Sequence, residues 1–129
     1  MTADEAMHRI DALLSHVWMV RTFVKHSEEA EEDEELIEVV RVLYDYSLAL
    51  GPAWNAKDAA EYLKLAHKKL AKLRQATTDF AELQPQVSAH TSFKMAVTSL
   101  ETAVTEIGEI LELGASVADA PGERGASAP

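Results

Sequence analysis

Between positions 93 and 111 the apolar residues fall at Phe93, Val97, Leu100, Val104, Ile107 and Leu111. Steps of four and three alternate without exception. That spacing lays one apolar seam along a helix, and the seam has to be buried against other helices in a left-handed crossing. The same rhythm returns twice. Ala3, Ala6, Ile10, Leu13, Val17, Val20 and Val24 keep it over about residues 3–26, with Leu14 and Trp18 widening the stripe. Ala59, Leu63, Ala66, Leu70, Leu73, Thr77 and Phe80 carry it through a third segment.

Helix starts and stops divide these segments. Ser27 is placed to cap a second helix, with Glu28 and Glu29 in its first turn. Its start is open between Glu28 and Glu34, because an all-acidic turn is a poor helix by itself. It reaches Leu50 and is expected to stop at Gly51-Pro52. Asn55, with Asp58 three residues on, is the expected cap of the third helix, and Pro85 closes it. The fourth helix is expected over about residues 86–113, ending at Gly114. Residues 114–129 are small and rich in breakers, which predicts a disordered, flexible tail after a bundle of residues 1–113. Val39-Val40-Arg41-Val42 is β-branched, but its surroundings keep the helical period, so no strand is expected. Short connections return the chain antiparallel. The prediction is an all-α, up-down-up-down four-helix bundle.

The second helix is apolar around most of its circumference. Leu36, Val39, Val40, Leu43 and Leu50 form the inward stripe, while Ile37, Tyr44 and Leu48 form a second row. A lone bundle does not need two rows. Either Trp18 or the Trp54 loop covers the second, or it is the interface of a homodimer.

Composition narrows the class. At 129 residues, with 47% hydrophobic and 26% charged residues and no cysteine, the chain reads as one soluble globular domain without disulfides or thiolate metal sites. The absence of cysteine fits a reducing cytoplasm. Met1-Thr2-Ala3-Asp4-Glu5 offers neither the basic nor the apolar stretch of a signal peptide, and no apolar run is long enough to span a bilayer.

The net charge of −10 includes seven carboxylates in the eight positions 28–35. Such a field repels a phosphate backbone, which argues against nucleic acid as a partner. The run reads as a solvated helix start, or as a docking strip for a basic protein or a loose divalent cation. Lys57, Lys64, Lys68 and Lys72 form a basic stripe outside the third helix. They are expected to meet that run, or Glu106, Glu109 and Glu112, and so to set which helices are neighbours.

Four polar residues project towards the seams. Arg21 falls near the middle of the first helix's stripe, His67 and Arg74 align with Leu63 and Leu70, and Glu101 lies beside Val97 and Val104. Charges inside a bundle need partners. Glu101 is therefore expected to pair with Arg74, His67 or both, with Arg21 capping the group.

Candidate chemistry is sparse. Bundle-core di-metal centres use two Glu-x-x-His pairs and two further glutamates, and this chain has one such spacing, Glu5 to His8. His8, His16, His26, His67 and His90 share neither a face nor a level, so no metal or other cofactor is expected beyond an adventitious surface site at His26 with Glu28 or Glu29. Arg21 to His26 resembles the Arg-x4-His spacing of the HEPN helical ribonucleases, and Arg9 to His16 gives Arg-x6-His. In that family the arginine steadies the phosphate and the histidine transfers the proton. The resemblance covers those residues alone, and here the pair sits inside a continuous heptad where the family has a local break. Trp18, Phe23, Tyr46, Tyr62 and Phe80 either fill the core or line an apolar cleft in which Arg21 or Arg74 grips an anion. The preferred expectation is a non-enzymatic, self-associating interaction module. The alternative is an anion-binding or HEPN-like bundle using Arg, His and Glu between helices.

Overall fold

The computed structural model describes residues 1–118, which form six helices and, among the described residues, no strand. In chain order they are α1 (Ala3–Lys25), α2 (Glu28–Glu31), α3 (Glu34–Asn55), α4 (Ala59–Lys68), α5 (Leu70–Val87) and α6 (Thr91–Ala118). No helix among them is long and apolar enough to cross a membrane.

Side-chain caps set most of the starts. Thr2 accepts from the Glu5 N–H at 3.0 Å, and Glu5 accepts from the Thr2 N–H at 2.7 Å, closing a reciprocal capping box. The Thr2 backbone bond, then its hydroxyl, holds the Glu5 carboxyl below its ordinary range. Ser27 caps α2 as expected, accepting from Ala30. The acidic run does not continue into the long helix. It makes one turn of its own, and Asp33 then restarts the chain by accepting from the Leu36 N–H at 3.0 Å.

Three expected stops are passed through. Gly51-Pro52 lies inside α3 and Pro85 inside α5. Each proline sits in the last turn, where it removes one ladder bond and little helix remains to disrupt. Asn55 ends α3 rather than starting the next helix, and Asp58 supplies the cap by accepting from Glu61 at 3.1 Å. Between them Lys57 turns the chain with φ 56°, a left-handed conformation. Gly114 does not end α6, which runs on to Ala118; the rest of the expected tail lies outside the described residues.

The third predicted helix is broken at Lys69, into α4 and α5. Neither glycine nor proline stands there. One turn earlier the buried Tyr46 hydroxyl donates to the Ala66 carbonyl at 2.9 Å. An inserted side chain of this kind interrupts the i→i−4 ladder.

The seams hold. Phe93, Leu100, Val104, Ile107 and Leu111 are buried and Val97 packs against them, while Leu36, Leu43, Tyr62, Leu73 and Phe80 complete the centre. Each fully buried large side chain contributes about 1.5–3 kcal/mol. α1 packs against α3 and α6, α5 against the same two, and α4 against α3 and α1. The His8 and Trp54 rings lie 5.1 Å apart and those of Trp18 and Tyr44 5.8 Å apart, so α1 and α3 run antiparallel. Towards α6, Arg9 meets Glu106 at 3.9 Å, His16 meets Ser99 at 3.1 Å, and Phe23 stacks edge-on against Phe93 at 5.0 Å. That pair is antiparallel too. The lysine stripe does not set this order: among the described residues the ion pairs between helices are Arg9–Glu106 and Arg74–Glu112, with none from Lys57, Lys64, Lys68 or Lys72.

Candidate functional site

On α3 the buried stripe is Leu36, Val39, Val40, Leu43, Tyr46, Leu50 and Ala53. Ile37, Arg41, Tyr44 and Leu48 repeat on the flank of that stripe at steps of four, three and four. Leu48 is 53% exposed and Ile37 37%, whereas Tyr44 is half-buried under Trp18 of α1. Trp18 thus covers part of the second row. It is itself 39% exposed.

Arg21 joins this row. Its stem leaves the edge of the α1 stripe, and its guanidinium carbon lies 4.8 Å from the Trp18 ring and 4.7 Å from the Tyr44 ring. Two aromatic faces attract the cation without neutralising it, an effect of about 0.5–2 kcal/mol. Its Nε is buried without a hydrogen-bond partner, as is Thr22 Oγ1. Among the described residues neither Arg21 nor Lys25 has a carboxylate within ion-pair distance, and Arg41 pairs with Glu38. These cations open onto a groove of about 520 Å³ between α1, α2 and α3. Ala30, Ile37, Val40 and Tyr44 supply its apolar wall, and among the described residues Glu31 is its one carboxylate. A cationic, aromatic strip is therefore set beside the most acidic segment of a chain of net charge −10.

A second groove, of about 320 Å³, lies between α3 and α5, lined by Glu35, Glu38, Asp79 and Glu82 with Leu83 and Gln86. It extends the acidic surface of α2 along the opposite side of α3.

The expected buried cluster does not form. His67, Arg74 and Glu101 are exposed, and only Arg21 is half-buried. Arg74 crosses Gly108 and donates to Glu112 at 2.9 Å, and no Glu101 contact to Arg74 or His67 occurs. Ala76 and Leu83 draw the α5 stripe away from Arg74, and Glu101 lies about 100° from Leu100.

Nor are the nuclease-like pairs assembled. The His26 Nδ1 meets the Thr22 carbonyl at 2.9 Å, about 140° around the helix from Arg21. Arg9 and His16 are engaged by Glu106 and Ser99. At the Glu5-x-x-His8 spacing, Glu5 serves the cap and His8 meets the Asp4 carbonyl. Among the described residues no three His, Asp or Glu side chains group to hold a metal ion.

Of the aromatic residues proposed for a cleft, Tyr46, Tyr62 and Phe80 are core. Burial pushes the Tyr46 and Tyr62 phenols up, and for Tyr62 the Asp11 carboxylate, which accepts from its hydroxyl at 3.2 Å, adds to this. Sequence spacing alone does not unite Trp18, Arg21 and Tyr44 in one stack. Its signal is the i, i+3 spacing of Trp18 and Arg21 beside the second row of α3.

Compared with known proteins, the chain matches no family model, no curated protein and no solved structure.

Proposed function

We propose that this chain is a non-enzymatic interaction module of the cytoplasm, an up-down-up-down bundle of four rods that self-associates through its α1–α3 face. The rods are α1, α3, the broken pair α4–α5, and α6. The single observation that carries the reading is the row of Trp18, Ile37, Tyr44 and Leu48, partly exposed and continuous with Arg21. Tryptophan, tyrosine and arginine are enriched among the few residues that dominate interface energy, and an apolar row at helical spacing suits another helix better than it suits water. The absence of cysteine supports a reducing compartment.

Light scattering tests this. The expected species is a dimer, twice the 14.2 kDa chain, that reverts to monomer on Tyr44→Glu with Leu48→Glu. A monomer at every concentration removes the reading.

A second reading, anion binding, draws on the unpaired Arg21 and the groove beside it. A carboxylate or phosphate on a small apolar body suits that lining. Titration with such an anion then changes Trp18 fluorescence in the parent and leaves Arg21→Gln unchanged; an unresponsive parent excludes it. The acidic run remains a proposed strip for a basic partner, tested by a lysine-rich peptide and loss of its binding at high salt.

A further inference from the structure

Resting on the self-association reading, we infer that two copies pair about a two-fold axis near Ile37, each laying its acidic turn α2 on Arg21 and Arg41 of the other. A two-fold interface must be self-complementary: what residue i meets on the partner, the partner's i meets here. Of the levels at Glu34, Ile37 and Arg41, this face meets that condition at Ile37.

Along α3, Arg41 stands four residues after Ile37 and Asp33 four before it, each about 6 Å from it at 1.5 Å per residue. An axis through Ile37 exchanges those two levels. It brings Arg41, and Arg21 which lines the same groove, against the carboxylates of α2 and the first turn of α3. Ile37, 37% exposed, then meets its own copy. An axis through Arg41 would set like cations together, and one through Glu34 would set carboxylates together.

Charge also selects the occupant. Among the described residues Arg21 and Lys25 form no ion pair within their own chain, although Glu31 lines the same groove, whereas seven carboxylates stand in positions 28–35. Net charge −10 on each copy opposes approach at long range. Screening over about 8 Å at physiological salt leaves the local pattern to decide the register.

The test is a charge swap on the full chain, read by sedimentation equilibrium. One variant carries Arg21→Glu and Arg41→Glu, the other Glu31→Lys and Glu34→Lys. In either homodimer like charges meet, so each alone should dimerise at least tenfold more weakly than the parent. Mixed one to one they should restore the dimer, because every swapped contact is then opposite in sign. Helicity by circular dichroism confirms that each variant folds, and Arg41→Glu alone replaces the double variant if Arg21→Glu does not fold. If both variants dimerise as the parent does, or the mixture fails to recover, the acidic-turn pairing is wrong while self-association stands. If the parent is a monomer throughout, both fall.

Discussion

The Tyr46 hydroxyl donates to the Ala66 carbonyl at 2.9 Å, both groups buried, and Lys69 breaks the helix three residues later. In an unbroken helix that carbonyl takes the Leu70 N–H. A side chain of α3 therefore reaches the last turn of α4 just before the chain passes into α5, whose Leu73 and Phe80 are buried in the core.

Tyr46→Phe keeps the ring in place and removes this bond. The expected cost is about 1 kcal/mol, read from urea unfolding. Unchanged stability would show that the hydroxyl bond adds nothing to the fold.

Alkaline pH tests the same burial. Tyr46 and Tyr62 both have phenols raised chiefly by burial. Unfolded tyrosine releases its proton near pH 10, whereas the folded chain retains both. The stabilisation is fully present below about pH 10 and is lost as pH rises beyond it, because the unfolded state then binds fewer protons. Urea midpoints should fall from pH 10 to 11.5, and fall less steeply in Tyr46→Phe. Equal slopes in the two proteins would contradict this.

Lys57 holds φ 56° in the α3–α4 turn. Such a conformation costs a side-chain-bearing residue about 1–2 kcal/mol, and glycine avoids most of it while losing more entropy on folding. Lys57→Gly should raise stability by about 0.5–1 kcal/mol. A loss in thermal unfolding would mean that the side chain contributes more than its backbone costs.

Gly108 lies beneath Arg74, and a Cβ built there would overlap the Arg74 Nη2. That atom is the end of a flexible chain, and the Arg74–Glu112 pair it would disturb is half exposed. Removing a mid-helix glycine gains about 1 kcal/mol, against about 0.2–1 kcal/mol for such a pair. Gly108→Ala should be neutral or stabilising by up to about 1 kcal/mol in urea unfolding. A loss beyond 1 kcal/mol would make the Arg74 contact a structural element in its own right.

The seams were legible because burial repeats: Ile10, Val17, Leu73, Leu100 and Ile107 each stand where a four-three pattern requires and are wholly buried. Helix ends were less so. Pro52 and Pro85 announce a stop but act a turn early, and the Lys69 break has neither glycine nor proline to mark it, only a Tyr46 contact one turn before it from twenty positions away in the chain. Polar residues beside a seam were misplaced for a geometric reason. One position is about 100° of rotation, enough to carry Glu101 from the edge of the core to water. The helical projection puts Arg21 on the seam side, yet what it meets is two aromatic rings rather than a carboxylate. Nothing in linear spacing reports that α3 lies alongside at the level of Tyr44.

The central claim is that the α1–α3 face is covered in solution by a second copy. Hydroxyl-radical footprinting at rising protein concentration tests it most directly. Trp18 and Tyr44 should become protected while Met19 and Met95, 66% and 61% exposed and off that face, oxidise at a constant rate. Trp18 and Tyr44 oxidising at one rate across the whole concentration range would contradict the account.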